Sequence, residues 1–138
     1  MSAYSLLYVS RSLVHDDTAE VAIADIVTVS RRRNVDLGVC GALLFTGRKF
    51  AQVLEGPRVG VEELMASIVA DGRHTDIITI QEGDIDRTRF SKWALAYCGP
   101  SAFVGRIVDQ ALDDAAALRS SARGETLLTL FEEFASIK

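Results

Sequence analysis

A chain of 138 residues with 49% hydrophobic residues and only two prolines holds enough apolar material for one packed domain. It is too short for two comfortable domains and too apolar to be a disordered linker. Its formal net charge of −4 argues against nucleic acid as the main partner, because neutralising phosphates needs clustered Lys and Arg. Charge interrupts every apolar stretch before it reaches bilayer length, and Met1-Ser2-Ala3-Tyr4 lacks the features of a signal peptide. The expectation is a cytoplasmic protein with no membrane role.

Cys40 and Cys98 are too few and too far apart for a metal site or a disulfide framework, and His15 and His74 have no ligand-spaced neighbours. P-loop, GxGxxG, GxSxG and HExxH patterns are missing. The single basic cluster, Arg31-Arg32-Arg33, reads first as a solvated helix end. Contact with one diphosphate is the sharper reading, and it needs far less charge than DNA does.

Residues 4–10 read as a strand rich in apolar and aromatic side chains. Asp17-x-x-Glu20 then has the form of a capping box. The helix it opens places Ala22, Ile23, Ile26, Val27 and Ser30 on one face and is expected to end near Asn34, with Gly38 beyond. Residues 39–45 and 50–55 are two strands joined by the hairpin Thr46-Gly47-Arg48-Lys49. Gly56-Pro57 opens a second helix over 59–70, with Val61, Leu64, Met65 and Ile68 inward, and Asp71-Gly72-Arg73-His74 ends it. Residues 75–82 form a fourth strand and Trp93 to Tyr97 a fifth. The order βαββαββ predicts an α+β, ferredoxin-like sandwich. Gly99-Pro100 marks a boundary between a domain at 1–98 and a helical extension at 99–138. That extension contains two amphipathic helices, over 101–119 and 124–137, which must pack on the uncovered sheet face or on a second copy of the chain.

Four residues are not explained by a bland core. Tyr8, on the side of Leu6 and Ser10, is ordinarily core filling with its hydroxyl satisfied at an edge. Gln52 shares a face with Phe50 and Leu54, and the charged Glu55 suggests that the opposite face lies nearer solvent. An inward amide left unpaired costs about 1–3 kcal/mol, so Gln52 needs a partner: Tyr8 or a ligand. Asn34 has the ordinary explanation of a helix C-cap, and Trp93 that of a packing anchor.

Taken together these residues carry a resemblance. Leu7-Tyr8-x-Ser10, Ser30-x-x-x-Asn34, Gly38-Val39-x-Gly41-x-Leu43-Leu44-Phe45 and Phe50-x-Gln52-Val53-Leu54-Glu55-Gly56-Pro57 resemble the BLUF family of blue-light sensors that use FAD. Ile68-x-x-Asp71-x-Arg73-His74 and Phe90-x-x-Trp93 continue the match, which covers roughly residues 4–97. The resemblance implies a flavin between the two helices, FAD with FMN as the alternative. It implies that Asn34 holds the ring's polar edge and that Gln52 bonds the ring while Tyr8 bonds Gln52. Light would then drive electron and proton transfer from Tyr8 to the flavin and rearrange the Gln52 hydrogen bonds by rotation or tautomerisation. Asp71, Arg73 and His74 are implied cofactor contacts; Arg33 or Arg32 is a candidate for the diphosphate. Ser67 stands where some relatives carry a longer basic residue. Trp93 and Leu95 complete the photoactive set, and Leu95 departs from the methionine that many members have there.

The implied protein is a photosensor and not an enzyme. Its C-terminal helices are expected to cover the sheet face opposite the flavin and to relay the signal to a partner protein or a homo-oligomer interface. The rival readings are a non-photoactive small-molecule regulatory module on the same plan and an acylphosphatase-like hydrolase using Arg48 and Asn34.

Overall fold

The computed structural model describes residues 3–98, 128–129 and 131–133. Its elements are β1 (Ala3–Ser12), α1 (Ala19–Leu37), β2 (Cys40–Phe45), β3 (Lys49–Gly56), α2 (Arg58–Ala70), β4 (His74–Ile85) and β5 (Ala96–Cys98). The sheet order is β4-β1-β3-β2-β5, antiparallel except for the parallel pair β2–β5. The first four strands and two helices form the expected ferredoxin-like α+β sandwich, and β5 widens the sheet at the β2 edge.

Side-chain alternation sorts the two faces. Tyr4, Leu6 and Tyr8 of β1 pack with Leu54 beneath Val61 and Leu64 of α2. Leu43, Phe45 and Phe50 pack beneath Ile23 and Val27 of α1. The intervening residues Leu7, Val9, Ala42, Leu44, Ala51 and Val53 point to the other face, where they meet Ile80, Phe90 and Ala96. Leu128 and Phe131, both in helical conformation, cover that face, with Phe131 edge-on to Phe90 at 6.4 Å. The predicted helix over 101–119 lies outside the described residues, as does most of 124–137.

Several boundaries differ from those expected. α1 runs to Leu37, past the end expected near Asn34, because Gly38 takes the left-handed conformation (φ 70°). The N–H groups of Gly38 and Val39 then bond the carbonyls of Val35 and Asn34. The capping box does not form. A 3-10 turn over Asp16–Thr18 precedes α1, Thr18 is the N-cap without a side-chain cap bond, and its hydroxyl turns back to the His15 carbonyl.

β5 starts at Ala96 rather than Trp93, because the carbonyls of Ala94 and Leu95 are taken by side chains of α1. Glu55 is also not on a solvent face. β3 is central, covered on both sides, and Glu55 is only 1% exposed. Its Oε1 accepts the N–H groups of Arg89 and Phe90, at 2.8 and 3.0 Å.

Candidate functional site

A pocket opens between α1 and α2. Leu43, Phe50 and Leu54 form its apolar floor, and Ile26 and Leu64 stand on its walls. Tyr8, Asn34 and Gln52 also line it, with Arg33, Asp71, Arg73 and His74. Sequence reasoning had named all seven of these polar residues from scattered positions.

Tyr8 and Gln52 are cross-strand partners in the β1–β3 ladder, and both are buried. The Tyr8 hydroxyl donates to Gln52 Oε1 at 2.6 Å. No protein acceptor meets Gln52 Nε2 among the described residues, so the donor end of the amide faces the pocket. Burial, and secondarily the charge of Asp71, pushes the Tyr8 phenol well above its ordinary value. It therefore keeps its proton at any physiological pH. Asn34, 1% exposed on the last turn of α1, donates from Nδ2 to the Ala94 carbonyl at 2.7 Å.

Two arginines bridge the rim. Arg73 binds Asp71 through Nε and Nη2, at 2.9 and 2.7 Å, and reaches Asp25 of α1 through Nη1 at 3.0 Å. The Arg73 guanidinium holds the Asp71 carboxyl below its ordinary value. Arg33 donates to Ser67 Oγ across the gap between the helices at 2.7 Å. His74 Nε2 lies 2.6 Å from the Ile68 carbonyl, which only accepts, so that nitrogen carries a proton. Its Nδ1 meets Ser10 Oγ at 2.7 Å.

Trp93 and Leu95 do not line the pocket. Trp93 lies in a turn and packs half-buried on the opposite sheet face. Leu95 is 2% exposed and packs with Ile23, Val27, Leu43 and Phe50 under α1. Arg48 sits on the β2–β3 hairpin away from the pocket that Asn34 lines, so the pair needed by a hydrolase is not assembled. Sequence reasoning missed the structural roles of three residues: Ser10, which meets His74, Arg31 beside Asn34, and Glu55 on the opposite face of the sheet. Ser10 shared the face of Tyr8 and was in view. Arg31, read as part of a solvated cluster, donates to the Leu95 carbonyl, and its spacing one turn before Asn34 was the available signal. Glu55 gave no signal of burial, because a carboxylate is the group least expected inside.

Among the described residues no group of His, Cys, Asp and Glu forms a metal site, and no helix is long and apolar enough to cross a membrane. The family model described as "BLUF: Sensors of blue-light using FAD" matches residues 3–96. The chain belongs to the BLUF family. It is 36% identical over 88 residues to the blue light- and temperature-regulated antirepressor BluF of Escherichia coli (strain K12), a match covering 64% of this chain and 21% of that protein. It is 30% identical over 92 residues to the photoactivated adenylate cyclase subunit beta of Euglena longa, covering 66% of this chain and 10% of that protein. The chain therefore spans only a small part of these curated relatives. The dark-state structure of BlrB, a BLUF protein, superposes with a TM-score of 0.69 at 32% identity, covering 90% of this chain and 97% of that one.

BLUF proteins sense blue light with FAD, and the pocket's chemistry suits that group. Apolar side chains of the floor and walls face the space between α1 and α2, which suits a flat aromatic ring. The amides of Gln52 and Asn34 sit deep, where a ring's polar edge would need donors and acceptors. The guanidinium groups of Arg33 and Arg73 stand at the rim, where an anionic tail would leave.

Proposed function

We propose that this BLUF chain is itself a blue-light photoreceptor, without enzymatic activity, that binds FAD non-covalently between α1 and α2 and signals to a separate protein. The observation that carries this reading is the buried Tyr8 hydroxyl bonded to Gln52 Oε1 on the pocket floor, with the Gln52 amide N–H groups turned to the pocket. When bound, the flavin supplies blue-light absorption and, once excited, an oxidant that accepts an electron and a proton from a neighbouring phenol.

Tyr8 is suited to that role because it is held protonated and its one proton points at Gln52. Gln52 is the element with two arrangements. An amide turned end for end presents its donor where its acceptor was and its acceptor where its donor was, and a tautomerised one turns its oxygen into a donor. In the dark arrangement Oε1 faces Tyr8 and Nε2 faces the pocket. In the other, Tyr8 must accept and the pocket meets an acceptor or a new donor. Such a local hydrogen-bond change biases a larger two-state element. Asn34 and the rim pairs Arg33–Ser67 and Arg73–Asp71 hold and orient the cofactor.

Two relatives are named for light control of another activity, one a blue light- and temperature-regulated antirepressor and one a photoactivated adenylate cyclase subunit. For this chain the reading is transfer of the light signal to an effector carried by another polypeptide, with a second copy of the chain as part of the assembly. An absorption spectrum of the purified protein before and after blue illumination tests the core of it. A reversible red shift of the flavin band is expected. A preparation that stays colourless after reconstitution with FAD, or whose spectrum ignores illumination, overturns it.

A further inference from the structure

Two side chains of α1, one helical turn apart, hold two consecutive carbonyls of the segment leading into β5. Asn34 Nδ2 donates to Ala94 O at 2.7 Å and Arg31 Nε donates to Leu95 O at 3.0 Å. Their i, i+3 spacing puts both donors on one face of the helix. Successive carbonyls of an extended strand point to opposite sides, so a chain that turns both toward α1 cannot run in the ladder there. β5 accordingly begins at Ala96, immediately after the second held carbonyl.

The two ends of this clamp lie in different parts of the molecule. Asn34 lines the pocket, and Arg31 does not. Beyond the clamp successive side chains point to opposite faces of the sheet: Leu95 packs under α1, and Ala96 packs on the far face in the cluster that contains Leu128 and Phe131. A change of hydrogen bonding at Asn34 therefore bears directly on the backbone that enters β5. With a single tether, a displacement at Ala94 would be absorbed by the bend before the strand. With Leu95 O held as well, the segment moves as one piece with α1.

We infer that Arg31 is a positioning residue that locks the 94–95 segment to α1 and thereby passes a change at the pocket into β5. This rests on the photoreceptor reading for its light-dependent part only. Arg31 is an exposed residue whose guanidinium reaches a backbone carbonyl and does not line the pocket, so its removal leaves the photochemical pair intact.

The test is amide hydrogen exchange on the full-length, FAD-loaded chain, in the dark and under continuous blue light, for wild type, Arg31→Met and Arg31→Lys. In the dark, Arg31→Met should raise exchange over 96–98 by about two- to tenfold, the span that one net hydrogen bond carries. Under light, wild type should show an exchange difference over 94–98 that Arg31→Met loses while keeping its full red shift. Arg31→Lys should restore both readouts, because its ammonium can donate to the same carbonyl. Unchanged dark exchange in Arg31→Met overturns the clamp, and so does a wild-type light difference in that variant. A wild type without a red shift overturns the photoreceptor reading instead, and the dark comparison still decides the clamp.

Discussion

Gln52 and Glu55 lie on the same central strand, face opposite sides of the sheet, and are both buried, at 4% and 1% exposed. Each must therefore be partnered inside. Gln52 is met by Tyr8 and the pocket; Glu55 is met by the N–H groups of Arg89 and Phe90, next to the ring that Phe131 covers. β3 thus carries the amide that faces the pocket on one face and the fastening of the β4–β5 connection on the other.

Replacing Tyr8 with Phe removes the donor to Gln52 and leaves its buried Oε1 without a partner. The chain should still fold and bind flavin, because the apolar ring of Tyr8 stays in the cluster with Leu6 and Leu54. The reversible red shift should vanish, and stability should fall by about 1–3 kcal/mol. A light-minus-dark spectrum and a urea midpoint measure the two effects. A variant that keeps a wild-type shift would remove Tyr8 from the photochemistry.

Much of this arrangement was legible in the chain itself. Alternation put Tyr8 on the side of Leu6 and Gln52 inward with Phe50 and Leu54, and helical spacing picked out Ile23, Val27, Val61 and Leu64 correctly. What could not be read were features set by tertiary partners. Glu55 looked like a solvent marker, because nothing local announces two backbone N–H groups arriving from residues 89 and 90. The fifth strand looked longer for the same reason: the carbonyls of Ala94 and Leu95 satisfy donors on a helix far away in sequence. Trp93 then fell outside the strand, on the far face of the sheet from the pocket.

Glu55 should leave a pH signature. Burial raises its carboxyl above the ordinary value of 4.5, outweighing the two N–H groups that favour the charge. Between that value and the raised one, the folded chain holds a proton that the unfolded chain has lost. Its contribution to stability is full below pH 4.5 and declines as pH rises through the folded value. Glu55→Gln keeps an acceptor for Arg89 and Phe90 but cannot titrate. Relative to wild type, the variant should gain stability as pH rises above the ordinary carboxyl value of 4.5. Parallel urea midpoints above that pH would contradict the assignment.

Leu95→Met exchanges side chains of similar volume in the cluster under α1, so stability should change by less than about 1.5 kcal/mol. Leu95 O is the carbonyl that Arg31 holds. A more flexible, polarizable side chain at that point alters how firmly the segment sits against Phe50 and Leu43 on the pocket's floor. The dark-recovery rate should change while the size of the red shift does not. Recovery at the wild-type rate would show that the residue has no hold on the lit state.

Phe131→Ala separates the far face from the photochemistry. Sequence reasoning expected the C-terminal helices to cover the face opposite the flavin, and Leu128 and Phe131 do occupy it. Deleting residues 101–138 would strip the cover from Phe90, Leu44 and Ala96, which makes truncation a blunt test of signalling. Truncating one ring at the edge-on Phe90–Phe131 contact is gentler, yet it should still cost about 3–5 kcal/mol and lower the unfolding midpoint. The red shift should survive at full amplitude, since Tyr8 and Gln52 face the other side of the sheet. If the helix carries the output, partner binding should lose its dependence on light in this variant. A shift that disappears along with Phe131 would mean that the two faces are not separable, and that the covering helix belongs to the sensor itself.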